Sequence, residues 1–140
     1  MTLVRLAFDG APPGLETRRI ASAIESTTLA SGAKLQASVR FVPPCEMAHL
    51  HRYKGGEGPT NVLTFAYKTG ADIAICLQVA EQDALVRGWD LLSELSYLCI
   101  HGCLHALGFD HGDQTSAMEM KRLERQILAN LGLATHALDL

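Results

Sequence analysis

The chain has little cysteine and no Cys-x-x-Cys pair. Its four cysteines, Cys45, Cys76, Cys99 and Cys103, fall far below the density of a disulfide-stapled scaffold, so they read as reduced thiols. It has no secretion-signal core, because Arg5 and Asp9 break the apolar pattern of the first residues before one forms. It has no uninterrupted apolar run either. The most apolar stretch, residues 91 to 109, carries Glu94, His101 and His105, which a membrane span would hold only at considerable cost. An excess of positive charge is also missing. Lys plus Arg is 12 against 15 Asp plus Glu, a formal charge of -3, which excludes a simple polycationic coat for nucleic acid. These absences together predict a soluble, cytoplasmic protein.

What is present is ordinary globular composition, 48% hydrophobic and 19% charged over 140 residues, expected to fold as a single domain over residues 1 to 140. A chain of this size buries roughly two thirds of its unfolded surface. Residues 3 to 8 are β-prone. Residues 34 to 42 alternate, with Leu35, Ala37, Val39 and Phe41 to one side and Lys34, Gln36, Ser38 and Arg40 to the other, the pattern of a half-buried strand. Between them Leu15, Ile20, Ala23, Ile24 and Thr27 recur at helical spacing, with Gly14 and Gly32 as limits.

Pro43 and Pro44 end the second strand and start a short helix whose Met47, Leu50 and Tyr53 are expected to share a face, stopping at Gly55 and Gly56. Residues 62 to 67 and 71 to 77 read as strands joined by a hairpin. Helices follow over residues 79 to 87 and 90 to about 107. A last helix, which Ser116-x-x-Glu119 would cap, buries Met120, Leu123, Ile127 and Leu131 and ends at Gly132. The order is βαβαββααα, an α+β fold with a mixed four-stranded sheet covered by helices.

Three of the six histidines lie in eleven residues, His101-Gly-Cys-Leu-His105-Ala-Leu-Gly108-Phe-Asp110-His111. Residues four apart on a helix stack one turn above the other, so His101 and His105 face one point. Gly108 allows the left-handed conformation that ends a helix, after which the chain turns back and brings His111 in as a third ligand. Neutral imidazole suits zinc, copper, nickel or iron, and three protein ligands with an open position is the catalytic pattern of zinc. One zinc ion per chain is therefore expected. The spacing is that of the metzincin zinc helix with one change, Gly102 where a zinc protease has its general-base Glu, so ordinary peptidase chemistry is disfavoured.

Cys99 and Cys103 lie about 160° and 200° round the helix from His101, on the opposite face, and read as core. Asp110 is either a further ligand or partner of the site or a turn-capping carboxylate. Glu94, two turns before His101, is either a partner of the site, including its general base, or an exposed helix carboxylate.

The histidine segment resembles the HGxLHxxGYDH signature of the bacterial YbeY family, ribosomal RNA maturation factors described as zinc-dependent endoribonucleases. Pro59-Thr60-Asn61-Val62-Leu63-Thr64-Phe65 is similar to that family's P-T-[DN]-V-L-S-F segment, and Ala71-Asp72-Ile73-Ala74-Ile75 to its G-D-I-x-I strand. The resemblance covers about residues 40 to 131. It implies His101, His105 and His111 as metal ligands and single-stranded RNA as substrate, in maturation of the small-subunit ribosomal RNA 3' end and in ribosome quality control. Ribosomal proteins or assembly GTPases are the implied protein partners, with no DNA and no membrane.

The family usually has Arg where this chain has Lys54, with Arg52 two residues earlier; Lys keeps the charge but loses the bidentate grip on phosphate. Thr64, Ala66 and Ala71 replace the usual Ser, Pro and Gly, and Leu50 a common Asn. In phosphodiester cleavage negative charge builds on the phosphoryl and leaving oxygens, so a metal plus a positioned cation is a sensible minimum, and Lys54 and Arg52 are the candidate cations. With Gly at 102, the proton acceptor is hydroxide on the metal, Asp110, Glu94 or the substrate's own 2'-hydroxyl. Residues 34 to 68 carry a local charge of +3 against -6 elsewhere, and phosphate contacts need only a local patch, so Lys34 and Arg40 are candidate RNA-binding residues. Two other hypotheses stand beside the nuclease: a metallopeptidase-like hydrolase with an unusual base, and a ribosome-assembly or RNA-binding protein whose metal is structural.

Overall fold

A computed structural model describes residues 6 to 32, 35 to 109 and 112 to 139. Lys34, Asp110 and His111 lie outside these described residues. The elements follow the expected order: β1 (Leu6–Asp9), α1 (Thr17–Ser31), β2 (Gln36–Phe41), α2 (Pro44–Tyr53), β3 (Val62–Tyr67), β4 (Gly70–Ile75), α3 (Leu77–Arg87), α4 (Leu91–Ala106) and α5 (Gln114–Asn130), with a 3-10 turn at His136–Asp139.

The sheet order is β1-β2-β4-β3. β1, β2 and β4 run parallel, and β3 returns antiparallel on β4. The mixed sheet and α+β class expected from the sequence are therefore observed. β4 lies between β2 and β3, and Ala71, Ile73, Ala74, Ile75 and the following Cys76 are all buried, because both its faces are covered. On one face Ala37, Val39, Ile73 and Ile75 pack with Ile20 and Ile24 of α1 and with Leu95, Leu98, Cys99 and Cys103 of α4. On the other face α2 sets Met47 and Leu50 against Val42, Leu63, Ala74 and Cys76.

α4 is the centre of the molecule. Its second flank, Ile100 and Leu104, meets Met120, Leu123, Ile127 and Leu128 of α5, so ten of its residues are buried and only a narrow strip reaches a cleft. Among the described residues no helix is long and apolar enough to cross a membrane.

Three details differ from expectation. Tyr53 is 85% exposed although Met47 is buried, because steps of three residues turn a stripe back by about 60° each and carry position 53 about 120° away from position 47. β4 stops at Ile75: the Cys76 N–H donates to the Asn61 carbonyl and the chain enters α3 at Leu77, two residues earlier than expected. The last helix is capped by Asp113, whose carboxylate accepts from the Ser116 N–H at 2.8 Å, while Glu119 pairs with Arg122 instead of completing a capping box. A carboxylate three residues upstream of a free N–H is the stronger cap.

Candidate metal centre

The strip of α4 that escapes burial carries His101 and His105. One helical turn places their Nε2 atoms 3.1 Å apart, with ring centroids 4.6 Å apart and planes at 79°. Two nitrogens in a tetrahedral shell with ~2.05 Å bonds lie about 3.3 Å apart, so the pair fits a common metal. His101 Nδ1 stands 2.7 Å from Glu124 Oε2. Glu124 comes from α5 and is 4% exposed. An ionised carboxylate only accepts, so Nδ1 is the donor, which leaves Nε2, facing His105, as the ring nitrogen that would ligate a metal. The sequence reading missed Glu124. Its signal was present, since position 124 falls inside the apolar stripe of Met120, Leu123 and Ile127, where a carboxylate needs a buried partner.

Gly108 has φ 98° and, as expected, ends this helix: its N–H and that of Phe109 donate to the carbonyls of His105 and Leu104. Among the described residues no group of three His, Cys, Asp or Glu side chains gathers to hold a metal. The expected third ligand His111 and its neighbour Asp110 lie outside them. Cys99 and Cys103 are fully buried in the sheet-side core, as expected of packing residues. Burial pushes the Cys103 thiol up to about 12, so no thiolate competes with imidazole. The donor set is therefore neutral nitrogen backed by a carboxylate, which suits zinc.

Gly102 faces the sheet. A Cβ at this position would lie 2.7 Å from Thr64 Oγ1 and 3.6 Å from Ile73 Cδ1. The glycine lets α4 approach β3 closely, and a Glu side chain has no room there.

The histidine strip and the β3 edge enclose a cleft of about 530 Å³, lined also by Lys54, Asn61, Thr64, Arg87 and Tyr97. Lys54 follows α2 and reaches over the edge strand: Nζ donates to the Thr64 carbonyl and lies 4.7 Å from the Phe65 ring centroid. Tyr97 packs 5.7 Å from the His101 ring. Its phenol is pushed up to about 12, first by burial and then by the Glu124 charge, with Arg87 opposing. At neutral pH it is a neutral hydroxyl.

Of the other candidate residues, Arg52 is exposed at the end of α2 and outside the lining of the cleft. Arg40 pairs in register with Ala74, on the α2 face of the sheet, and is ion-paired with Glu46; the structure does not bring it to the histidines. Glu94 is fully buried, which corrects its reading as an exposed carboxylate. It accepts from Arg87 Nε at 2.9 Å and Trp89 Nε1 at 2.8 Å, and is outside the lining of the cleft.

The fold and site define an α+β domain in which a His-x3-His helix, buttressed by a carboxylate, overlooks an edge strand and a cation. The family model described as Endoribonuclease YbeY matches residues 15–132, and the chain belongs to that family. Among curated relatives, Endoribonuclease YbeY of Ralstonia nicotianae is 43% identical over 107 residues, 71% of this chain and 57% of the relative. That of Paraburkholderia phytofirmans is 38% identical over 120 residues, 81% of this chain and 76% of the relative. The match thus spans little more than half the length of the Ralstonia protein. The solution structure of TM1509 from Thermotoga maritima superposes with a TM-score of 0.62 at 22% identity, covering 89% of this chain and 90% of that one, a likeness of fold.

Proposed function

We propose that the chain is one zinc-dependent endoribonuclease domain that cuts single-stranded RNA in ribosomal RNA maturation, at the 3' end of the small-subunit RNA, and in ribosome quality control in the cytoplasm. Ribosomal proteins or assembly GTPases would direct it to that substrate. One observation carries the reading: two imidazole Nε2 atoms 3.1 Å apart, one fixed by buried Glu124, in a cleft that Lys54 also lines.

His101, His105 and His111 would hold the metal. When bound, zinc supplies a Lewis acid and lowers the pKa of a bound water to about 7. The chain does the rest. Glu124 holds His101 in the ligating tautomer. Lys54, tethered to the β3 backbone, puts a positive charge at the cleft rim where negative charge builds on the phosphoryl oxygens. Tyr97 offers a neutral hydroxyl in place of an anion. Glu94 gives one oxygen to Arg87 and Trp89 and lies outside the lining of the cleft, so the proton acceptor would be hydroxide on the metal, Asp110 or the substrate's own 2'-hydroxyl.

Metal analysis of native protein and His105→Ala, paired with cleavage of a single-stranded RNA, tests this. Wild type is expected to hold about one zinc per chain and to cut, and His105→Ala to lose both. Wild type without stoichiometric metal, or equal cleavage by both proteins, overturns it.

A further inference from the structure

Arg87 is the second cation of the cleft, and nothing in its local sequence marks it. It ends α3 and is held from two sides. Its Nε donates to Glu94, whose side chain is fully buried, and its Cζ lies 5.2 Å over the Tyr97 ring. The same Glu94 oxygen also takes the Trp89 indole N–H, so the clamp is anchored in the core. Among the described residues, Nη1 and Nη2 of Arg87 have no hydrogen-bond partner, although the residue lines the cleft with both histidines and Lys54. The fork of a guanidinium whose Nε is already occupied is the part that matches two phosphate oxygens.

Tyr97 lies between the guanidinium and His101, against both. Arg87 is thus displaced from the histidine pair by one aromatic ring, too far to share the reacting phosphate and placed for a neighbouring one.

We infer that Arg87 grips the phosphate of a nucleotide flanking the cleaved linkage, and that Glu94 is its positioning residue. This rests on the RNA-cleaving reading above. The cleft then has a division of labour: Lys54 gives a point charge at the rim, and Arg87 supplies the bidentate grip that Lys at position 54 does not.

The test reads binding separately from cleavage. A short fluorescent oligouridylate is titrated, with chelator present, against wild type, Arg87→Ala and Arg87→Lys over a range of salt, and KM and kcat are measured with zinc. Arg87→Ala is expected to bind about tenfold more weakly at low salt, the scale of one charge-assisted pair. The slope of log affinity against log salt should fall by about 0.7, the value for one single-strand phosphate contact. KM should rise with kcat nearly unchanged, as for a contact equal in ground and transition states. Arg87→Lys is expected to keep the slope and still show a severalfold higher KM, because the fork and its Glu94 tether are gone. Zinc content should match wild type in both variants, while the melting temperature of Arg87→Ala should fall because buried Glu94 loses its partner cation. An unchanged slope and KM in Arg87→Ala, full restoration of KM by Lys, or loss of zinc in either variant overturns the assignment. A wild type that binds but does not cut overturns the nuclease reading alone, because the slope is read without turnover.

Discussion

Glu124 would decide how well His101 ligates a metal, because a hydrogen bond to Nδ1 orients the ring and raises the basicity of Nε2. Removing such a partner costs about 10- to 100-fold in metal affinity in comparable sites. Glu124→Gln keeps an acceptor but loses the charge, so it is expected near the lower end of that range, and Glu124→Ala near the upper end. Competition for zinc against a chromophoric chelator checks both. Unchanged affinity in Glu124→Ala would remove the carboxylate from the site.

The pairing of His101 and His105 was legible in the sequence because it is a local spacing, one helical turn followed by a glycine stop. Glu124 left only its place in an apolar stripe, and Arg87 left nothing. Their roles depend on which face of α5 and which end of α3 pack against α4, and pairing across elements is not written in the spacing of either one. Glu94 misled for the same reason: its position on α4 was clear, but its burial comes from Trp89 and Arg87 on the preceding segment.

At the scale of elements, the distance between α4 and β3 shapes the cleft, and Gly102 sets that distance. Adding one methyl should favour the helix by up to about 1 kcal/mol. It would also drive a Cβ to 2.7 Å from Thr64 Oγ1, and overpacking of this kind costs ~1–3 kcal/mol. Gly102→Ala is therefore expected to be net destabilising by about 1 kcal/mol. In the Thr64→Ala background the clash is gone, and the same substitution should become neutral or stabilising. Urea unfolding of the four proteins reads this change of sign, and a penalty that persists without the Thr64 hydroxyl would show that α4 meets some other obstacle. Gly102→Glu should gain no peptidase activity, since the side chain would enter the sheet instead of the cleft.

The elements themselves were well marked. Alternation marked β2, glycines marked the ends of α1, α3 and α4, and the short Lys68-Thr69-Gly70 connection marked the β3–β4 hairpin, whose turn the structure narrows to Lys68 and Thr69. The placing of β3 at the edge was not marked, because strand order follows from how the α1 and α2 crossovers stack on the sheet, and only the continuous burial of β4 hints at which strand is central.

For the whole molecule, the net charge of -3 hides a separation by face. Arg40 is ion-paired on the α2 side, whereas Lys54 and Arg87 line the histidine cleft, so among the described residues the cleft draws one cation from the basic segment 34 to 68 and one from the end of α3. The metal would act on global stability as well as on chemistry. His101 and His105 sit on the helix that the rest of the fold packs around, so a metal that binds the native pair and not the unfolded chain shifts the whole unfolding equilibrium. At a free zinc concentration a hundred times the dissociation constant that linkage is worth about 2.7 kcal/mol, and for a chain of this size each kcal/mol moves the melting temperature by roughly 4 °C. Chelation should therefore lower the melting temperature by about 10 °C, and zinc should restore it. The shift should nearly vanish in His105→Ala, whose melting temperature with or without zinc is expected to match that of the chelated wild type. Scanning calorimetry at matched protein concentration gives the comparison. A chelator shift that survives unchanged in His105→Ala would place the metal elsewhere in the chain.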